Sequence, residues 1–496
     1  MLASAGRFAT IAAFLLPLAA TAPTPTADAT APSKATPLHI RPTPRILPLS
    51  ALSHIFDHDA QINASSTAQE GGTLVARSML HSEASLVERD LFGDHPEDED
   101  TTLEKRRLQI RASCLDSTAT DATISSLFYY GGQGTTVFLC PGAVISTTNA
   151  IFFTAPQQTL TTYGNPTGST RATIRVTANN QSCAVYGAWP GANNVVLRNI
   201  QVDGNRPGLG LLQGGLALLE FGGNTVGQVI TQIRAFEPRG WSCLHAAEGD
   251  GNQCSSMTIS NNAIGPSGHA PSSAQQFRKR DSTGSYGPYN WADGISIACK
   301  ASSVTGNTVT DATDGAIVIF GALGSNIQGN MVISNDRQLM GGINLVDFNP
   351  YGGSFAGTVV QSNTVIANAN FIKVGVAVGG LVWGSDNRTA SRTYGGTIKN
   401  NVFRSGSTGY FGYAIAASGH NSTTIIGNSA RQANFGGVES SACFTSLFPL
   451  PPRQAFVDNP WTTPGSTLQA GFYKNLAFGF AICLAPGRIT VRGSPY

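Results

Sequence analysis

The chain has 496 residues, of which 56 are glycine and only 12% are charged, with a net charge of +2. An average soluble protein carries about 25% charged residues, so a helical bundle with Lys- and Glu-rich outer faces is excluded. The near-neutral balance, with no basic stripe, makes nucleic acid an unexpected partner. No apolar run reaches the roughly 20 residues that span a bilayer, so no membrane partner is expected either. What is left is a Gly-, Asn- and Thr-rich chain, a composition that predicts β structure with many tight turns.

In chain order, Arg7 precedes an apolar stretch over residues 8–20, and Ala20-Thr21-Ala22 has the small-x-small form of a cleavage site. This predicts a signal peptide over residues 1–22 and a secreted protein. Residues 23–107 hold the run Glu97-Asp98-Glu99-Asp100 and end in Lys105-Arg106-Arg107, the pattern of a pro-peptide or disordered leader. All eight cysteines follow residue 107, which in an exported chain predicts disulfides. The expected local pairs are Cys114–Cys140, Cys243–Cys254 and Cys443–Cys483, with Cys183 and Cys299 left over. No Cys-x-x-Cys occurs, and no metal site or cofactor is expected. Asn180, Asn387 and Asn421 stand in glycosylation sequons.

A repeat organises the remainder. Branched apolar, two residues, Asn, one residue, apolar recurs at Ile259…Asn262, Val304…Asn307, Ile327…Asn330, Val360…Asn363 and Ile398…Asn401, with a weaker copy at Ile425…Asn428. Interleaved are glycines that open short apolar runs: Gly215, Gly240, Gly294, Gly315 and Gly342. A unit of roughly 21 to 27 residues holding two or three strands fits one coil of a parallel β-helix, with stacked Asn side chains bonding along the stack. The fold class expected is all-β, a single-stranded right-handed parallel β-helix over residues 108–440 with N- and C-terminal caps, the latter over 441–496. Residues 265–292, which include Arg278-Lys279-Arg280, Tyr286, Tyr289 and Trp291, form an insertion.

Such a solenoid carries a long groove on one face, and chemistry needs residues at equivalent positions on neighbouring coils. Aligning the strand glycines sets Asp293 beside Asp314, about 4.8 Å apart along the backbone. Two carboxylates so close repel, one is pushed to a higher pKa, and the two divide into a general acid and a base or nucleophile. The same alignment groups Glu220, His245, Cys299, Phe320 and Asp347. Asp-Gly is equally a common turn pair, and His245 equally a packed histidine. Trp241, Trp291, Tyr289 and Tyr351 are sugar-stacking platforms or core residues.

This layout resembles the pectin-lyase-like superfamily of parallel β-helices over about residues 115–440, on Leu139-Cys140-Pro141-Gly142-Ala143 and Val202-Asp203-Gly204-Asn205. The order Ala292-Asp293-Gly294, Asp314 and Ile372-Lys373 is similar to the polygalacturonase family. The resemblance implies inverting hydrolysis, with Asp293 and Asp314 as catalytic acids and Lys373 as a substrate-binding cation. The sequence departs from that family where Gly341-Gly342 stands in place of His-Gly and Phe371 in place of Arg, so a glycan other than polygalacturonan is expected.

The leading expectation is therefore a secreted, monomeric glycoside hydrolase acting within a polysaccharide. Its candidate catalytic residues are Asp293, Asp314, Asp311 and Asp347; its candidate substrate contacts are His245, Glu248, Trp291, Lys300, Asn344 and Lys373. A lyase or epimerase of the same fold is the alternative, with Lys300, Lys373 or His245 as base and Glu248 and Asp250 as Ca²⁺ ligands. A glycan-binding surface protein without catalysis is the third possibility.

Overall fold

The computed structural model describes residues 114–269, 291–346, 350–383, 392–439, 451–476, 481 and 484–496. The expected signal peptide and leader, most of the expected insertion, Asn387, Asp347, Cys443 and Cys483 lie outside them.

Each circuit of the chain gives one short strand to each of three sheets. Thr258–Ser260 lies beside Ser303–Thr305, Ala263–Ile264 beside Thr308–Thr310, and Asp293–Ile297 beside Gly315–Phe320, all parallel. Among the described residues the sheets reach 11, 10 and 13 strands. One neighbour pair is antiparallel, Asn434–Glu439 with Leu484–Arg492. The architecture is a parallel β-helix, right-handed as parallel crossovers are.

The aliphatic positions of the repeat stack in register. In the first sheet Leu197, Ile230, Ile259, Val304, Ile327, Val360, Ile398 and Ile425 follow one another, all fully buried. Burying each contributes about 1.5–3 kcal/mol. Between the first and second sheets the chain turns in two residues, the first of them left-handed: Asn261, Gly306, Gly329, Ser362, Asn400 and Gly427. Gly and Asn adopt that conformation at least cost, which explains much of their excess.

The second turn residue is the ladder Asn. Nδ2 of Asn262, Asn307, Asn330, Asn363 and Asn401 each donates to Oδ1 of the next, at 2.9–3.0 Å. Asn428 is a full rung, and its Nδ2 donates to Gln469 Oε1, which closes the ladder.

A helix over Asp121–Gly131 plugs the first coil with Ile124 and Phe128, its N-terminus capped by Thr120. At the other end Gln454–Asp458 and Thr467–Leu468 extend the third and first sheets. Part of the segment expected as a cap thus builds another coil. Among the described residues no helix is long and apolar enough to cross a membrane.

Cys114–Cys140 is bonded as expected. The expected Cys243–Cys254 bridge is corrected to Cys254–Cys299. Stacking places Cys254 beside Cys299 of the next coil, Cα to Cα 4.7 Å. The buried Cys243 points instead toward Ser267 Oγ, 3.1 Å away, and burial holds its thiol up at about 12. Cys183 is buried, with its thiol on the Val185 carbonyl.

Candidate active site

The outer face of the third sheet gathers half of the expected residues. The core decides the register: Leu244, Ile295, Ile317, Ile343 and Val376 follow one another across five strands. One face further out lies the row Glu220, His245, Ser296, Val318 and Asn344. Cys299 and Phe320 do not belong to this row, contrary to the alignment on glycines.

The same register sets Asp293 opposite Gly315, with Asp314 one residue earlier, not opposite. The aliphatic stack overrides the glycine spacing because a slip would expose core side chains. The two acids remain neighbours. Asp293 is in a strand, not a turn. Gly294 follows it because a Cβ there would meet Val309 Cγ1 at 2.6 Å.

Asp293 is buried. Its Oδ1 accepts from the Gly315 amide at 2.7 Å and its Oδ2 from Ser296 Oγ at 3.0 Å. Ser296 Oγ in turn lies 3.1 Å from Ser242 Oγ. Burial above all, then the charge of Asp314, holds Asp293 well above the usual carboxylate range, while the Gly315 amide, Ser296 and His245 pull the other way. Burial raises Asp314 to about 6, against the pull of Lys373. Lys373 is itself buried and lowered to about 8, with Asp314 acting to restore its charge. The two carboxyl groups thus differ in surroundings: burial and the charge of Asp314 both act against ionisation of Asp293, whereas Lys373 draws Asp314 toward its charged form.

Two glycines shape the floor between these groups. A Cβ on Gly315 would come 2.9 Å from Asn344 Nδ2 and 3.1 Å from Asp293 Oδ1, and one on Gly341 would strike Asn344 Oδ1. The Asn344 amide therefore lies flat across both glycines toward Asp293. It is 5% exposed, and its Oδ1 has no hydrogen-bond partner among the described residues.

On the N-terminal side His245 Nδ1 meets Glu220 Oε1 at 2.5 Å, and Trp241 packs edge-on against the imidazole at 4.8 Å between centroids. Trp241 is 37% exposed, so it is no core residue. Glu220 was not among the site residues expected, although its spacing from His245 had put both in one row. Of the other two described histidines, His420 is buried and lowered to about 4 by burial, bonded to Thr393 and Gly395, and His269 is exposed beyond the second sheet.

Other expected residues lie elsewhere. Asp311 is a structural acid: its Oδ1 accepts from the amides of Asn335, Asp336 and Arg337 and clamps one coil's turn to the next. That oxygen is committed there, and neither Asp293 nor Asp314 is among the partners of Asp311. Asp347 lies outside the described residues. Glu248 is buried near Tyr351, whose phenol is raised first by burial and then by that carboxylate. Asp250 takes a hydrogen bond from Asn224, so Glu248 and Asp250 serve different partners. Lys300 makes an isolated β-bridge to Ser255, outside the strands. Trp291, half-buried, stands two residues before Asp293, the first residue of its strand. Tyr351 donates to the Ala298 carbonyl.

No protein-family model and no curated protein matches the chain. Among solved structures it is similar to the A-module of a mannuronan C-5 epimerase from Azotobacter vinelandii, at 10% identity over 75% of this chain and 99% of that one, TM-score 0.31. It is similar to a surface adhesin of Streptococcus pneumoniae, at 12% identity over 74% and 92%, TM-score 0.40. It is also similar to a mutant tailspike protein of an E. coli bacteriophage in complex with a pentasaccharide, at 10% identity over 80% and 73%, TM-score 0.40.

Proposed function

We propose that the protein is a glycoside hydrolase acting on a polysaccharide laid along the outer face of the third sheet. The observation that carries this reading is a pair of carboxyl groups on adjacent coils, Asp293 buried and Asp314 half-buried, both held above the usual carboxylate range. Environments that separate two acids assign their roles. Asp293, raised by burial and by the charge of Asp314, protonates the glycosidic oxygen. Asp314, ionised above about pH 6, acts as base toward water or as nucleophile toward the anomeric carbon. The Asn344 amide, aimed across the glycine floor, is a hydrogen-bonding group for the sugar there.

The charge pattern favours a neutral glycan. The two basic side chains of the site, His245 and Lys373, each face an acid of the protein, Glu220 and Asp314. A uronate would have to compete with those carboxylates. Trp241, exposed beside His245, offers an apolar face to a sugar ring.

The test is a panel of polysaccharides assayed for new reducing ends and for unsaturated, ultraviolet-absorbing products. Wild type is expected to release reducing ends without unsaturation. Asp293→Asn and Asp314→Asn are each expected to lose activity by about 10²–10⁴-fold, the worth of one general acid or base. Unsaturated product would turn the reading toward a lyase. Full activity in both variants would remove the pair from the chemistry.

A further inference from the structure

The outer face of the third sheet is not open along its whole length. Beyond Lys373 it is covered by a second hydrophobic layer, separate from the interior core. Phe371, Val374, Ala377, Tyr410, Tyr413 and Ala416 are buried there under Leu484, Ala481 and Val382. The covering is built, not incidental. Tyr410 Oη donates to the Gly487 carbonyl at 2.7 Å and accepts from the Gly487 amide at 2.9 Å. Tyr413 Oη donates to the Pro451 carbonyl, and the Ala481 amide to Val382. The segment Leu484–Arg492 is further held as a strand against Asn434–Glu439.

The covering begins at a definable rung. Phe371 lies opposite Tyr410, and Ile372 opposite Phe411, so Gly412 follows Lys373 in the row that holds Asp314. A Cβ on Gly412 would collide with Leu484 Cδ1. Leu484 therefore occupies the space that the next sugar would need. From Asp314 to this obstruction is three strand spacings, about 14 Å. On the opposite side the neighbouring row, that of Glu220 and His245, begins with Phe152 and Tyr186, with Trp189 packed edge-on against Phe152. Tyr186 and Trp189 are only half-buried, so that approach is lined by sugar-compatible aromatic faces.

We propose that the groove is blind at Leu484 and that the enzyme attacks chain ends, releasing one short fragment of fixed length per cut. This rests on the hydrolase reading above and adds its mode of action. A polymer can enter past Trp189 and reach the acid pair, but it cannot run through.

The experiment uses wild-type protein on the polysaccharide it cleaves in the panel, and on a size-defined oligosaccharide series of the same glycan. Products are sized at low conversion, and viscosity is followed in parallel. The expected result is a single short product from the earliest time point with viscosity almost unchanged. A ladder of sizes with rapid loss of viscosity overturns the blind groove and leaves the hydrolase reading standing. No cleavage of any glycan overturns both. Leu484→Ala, checked for folding by its melting temperature, is expected to yield a longer product; an unchanged product length from the folded variant overturns Leu484 as the obstruction.

Discussion

Asp314 and Lys373 are the residues whose titration the groove controls most directly. The rate is expected to rise as Asp314 ionises, so kcat/KM should climb through about pH 6 and fall again once Asp293 loses its proton. Lys373 lowers the Asp314 pKa, so removing that cation should raise it. A pH–rate profile of Lys373→Met is expected to show the acidic limb displaced to higher pH; a limb that stays in place would mean Asp314 is not the base. Gly315 tests shape instead of charge. Gly315→Ala adds one methyl group that presses first on Val318 Cγ2, a movable side-chain end, and also comes within 2.9 Å of Asn344 Nδ2 and 3.1 Å of Asp293 Oδ1. It should lower kcat at least tenfold while the protein still folds, measured as activity against a wild-type-like circular dichroism spectrum. At this scale the sequence was partly legible. Asp293, His245, Asn344 and Lys373 stand out as polar residues on apolar strands. Glu220 was missed as a site residue because nothing in one sequence says that His245 Nδ1 turns toward it. Asp311 misled because an acid near a candidate looks the same whether it serves a substrate or three backbone amides.

At the scale of elements the asparagine ladder is the clearest case of sequence dictating structure. Six Asn residues share one turn position, and their amides can only be satisfied by each other, by nearby carbonyls and by Gln469. Asn330 accepts from both the backbone and side-chain amides of Asn307 and donates to Asn363 and the Val304 carbonyl. Asn330→Ala leaves those buried groups without partners, at about 1–3 kcal/mol for a buried group. Gln469→Ala acts at the half-buried end of the ladder, where water can substitute. Urea titration should therefore show Asn330→Ala destabilised by at least about 3 kcal/mol and Gln469→Ala by clearly less; equal losses would mean the ladder is not cooperative. The register of the third sheet was less legible. Glycines mark where strands begin, but the aliphatic stack fixes which residues face each other, and the turn over residues 311–314 shifts one against the other. Cys254 illustrates the same limit: its partner lies 45 residues away, a separation set by a whole coil and its insertion.

At the scale of the molecule the repeat was enough to predict a parallel β-helix, because no other arrangement returns the same short strands in the same order every coil. Where the helix stops was not legible, since the segment after residue 450 carries no Asn repeat and yet adds strands to two sheets. The Leu484 obstruction was invisible for the same reason: it comes from a strand whose packing partners are distant in sequence. Its position gives the solenoid a property of a ruler. The acid pair and the obstruction sit on rungs of one ladder, so the interval between them is a whole number of strand spacings of about 4.8 Å. A side-chain change alters what happens at a mark; only the gain or loss of an entire coil alters how many marks there are. Product length is then inherited in steps, as a count of coils, and a lineage that duplicates one coil lengthens its product by one division without touching a catalytic residue.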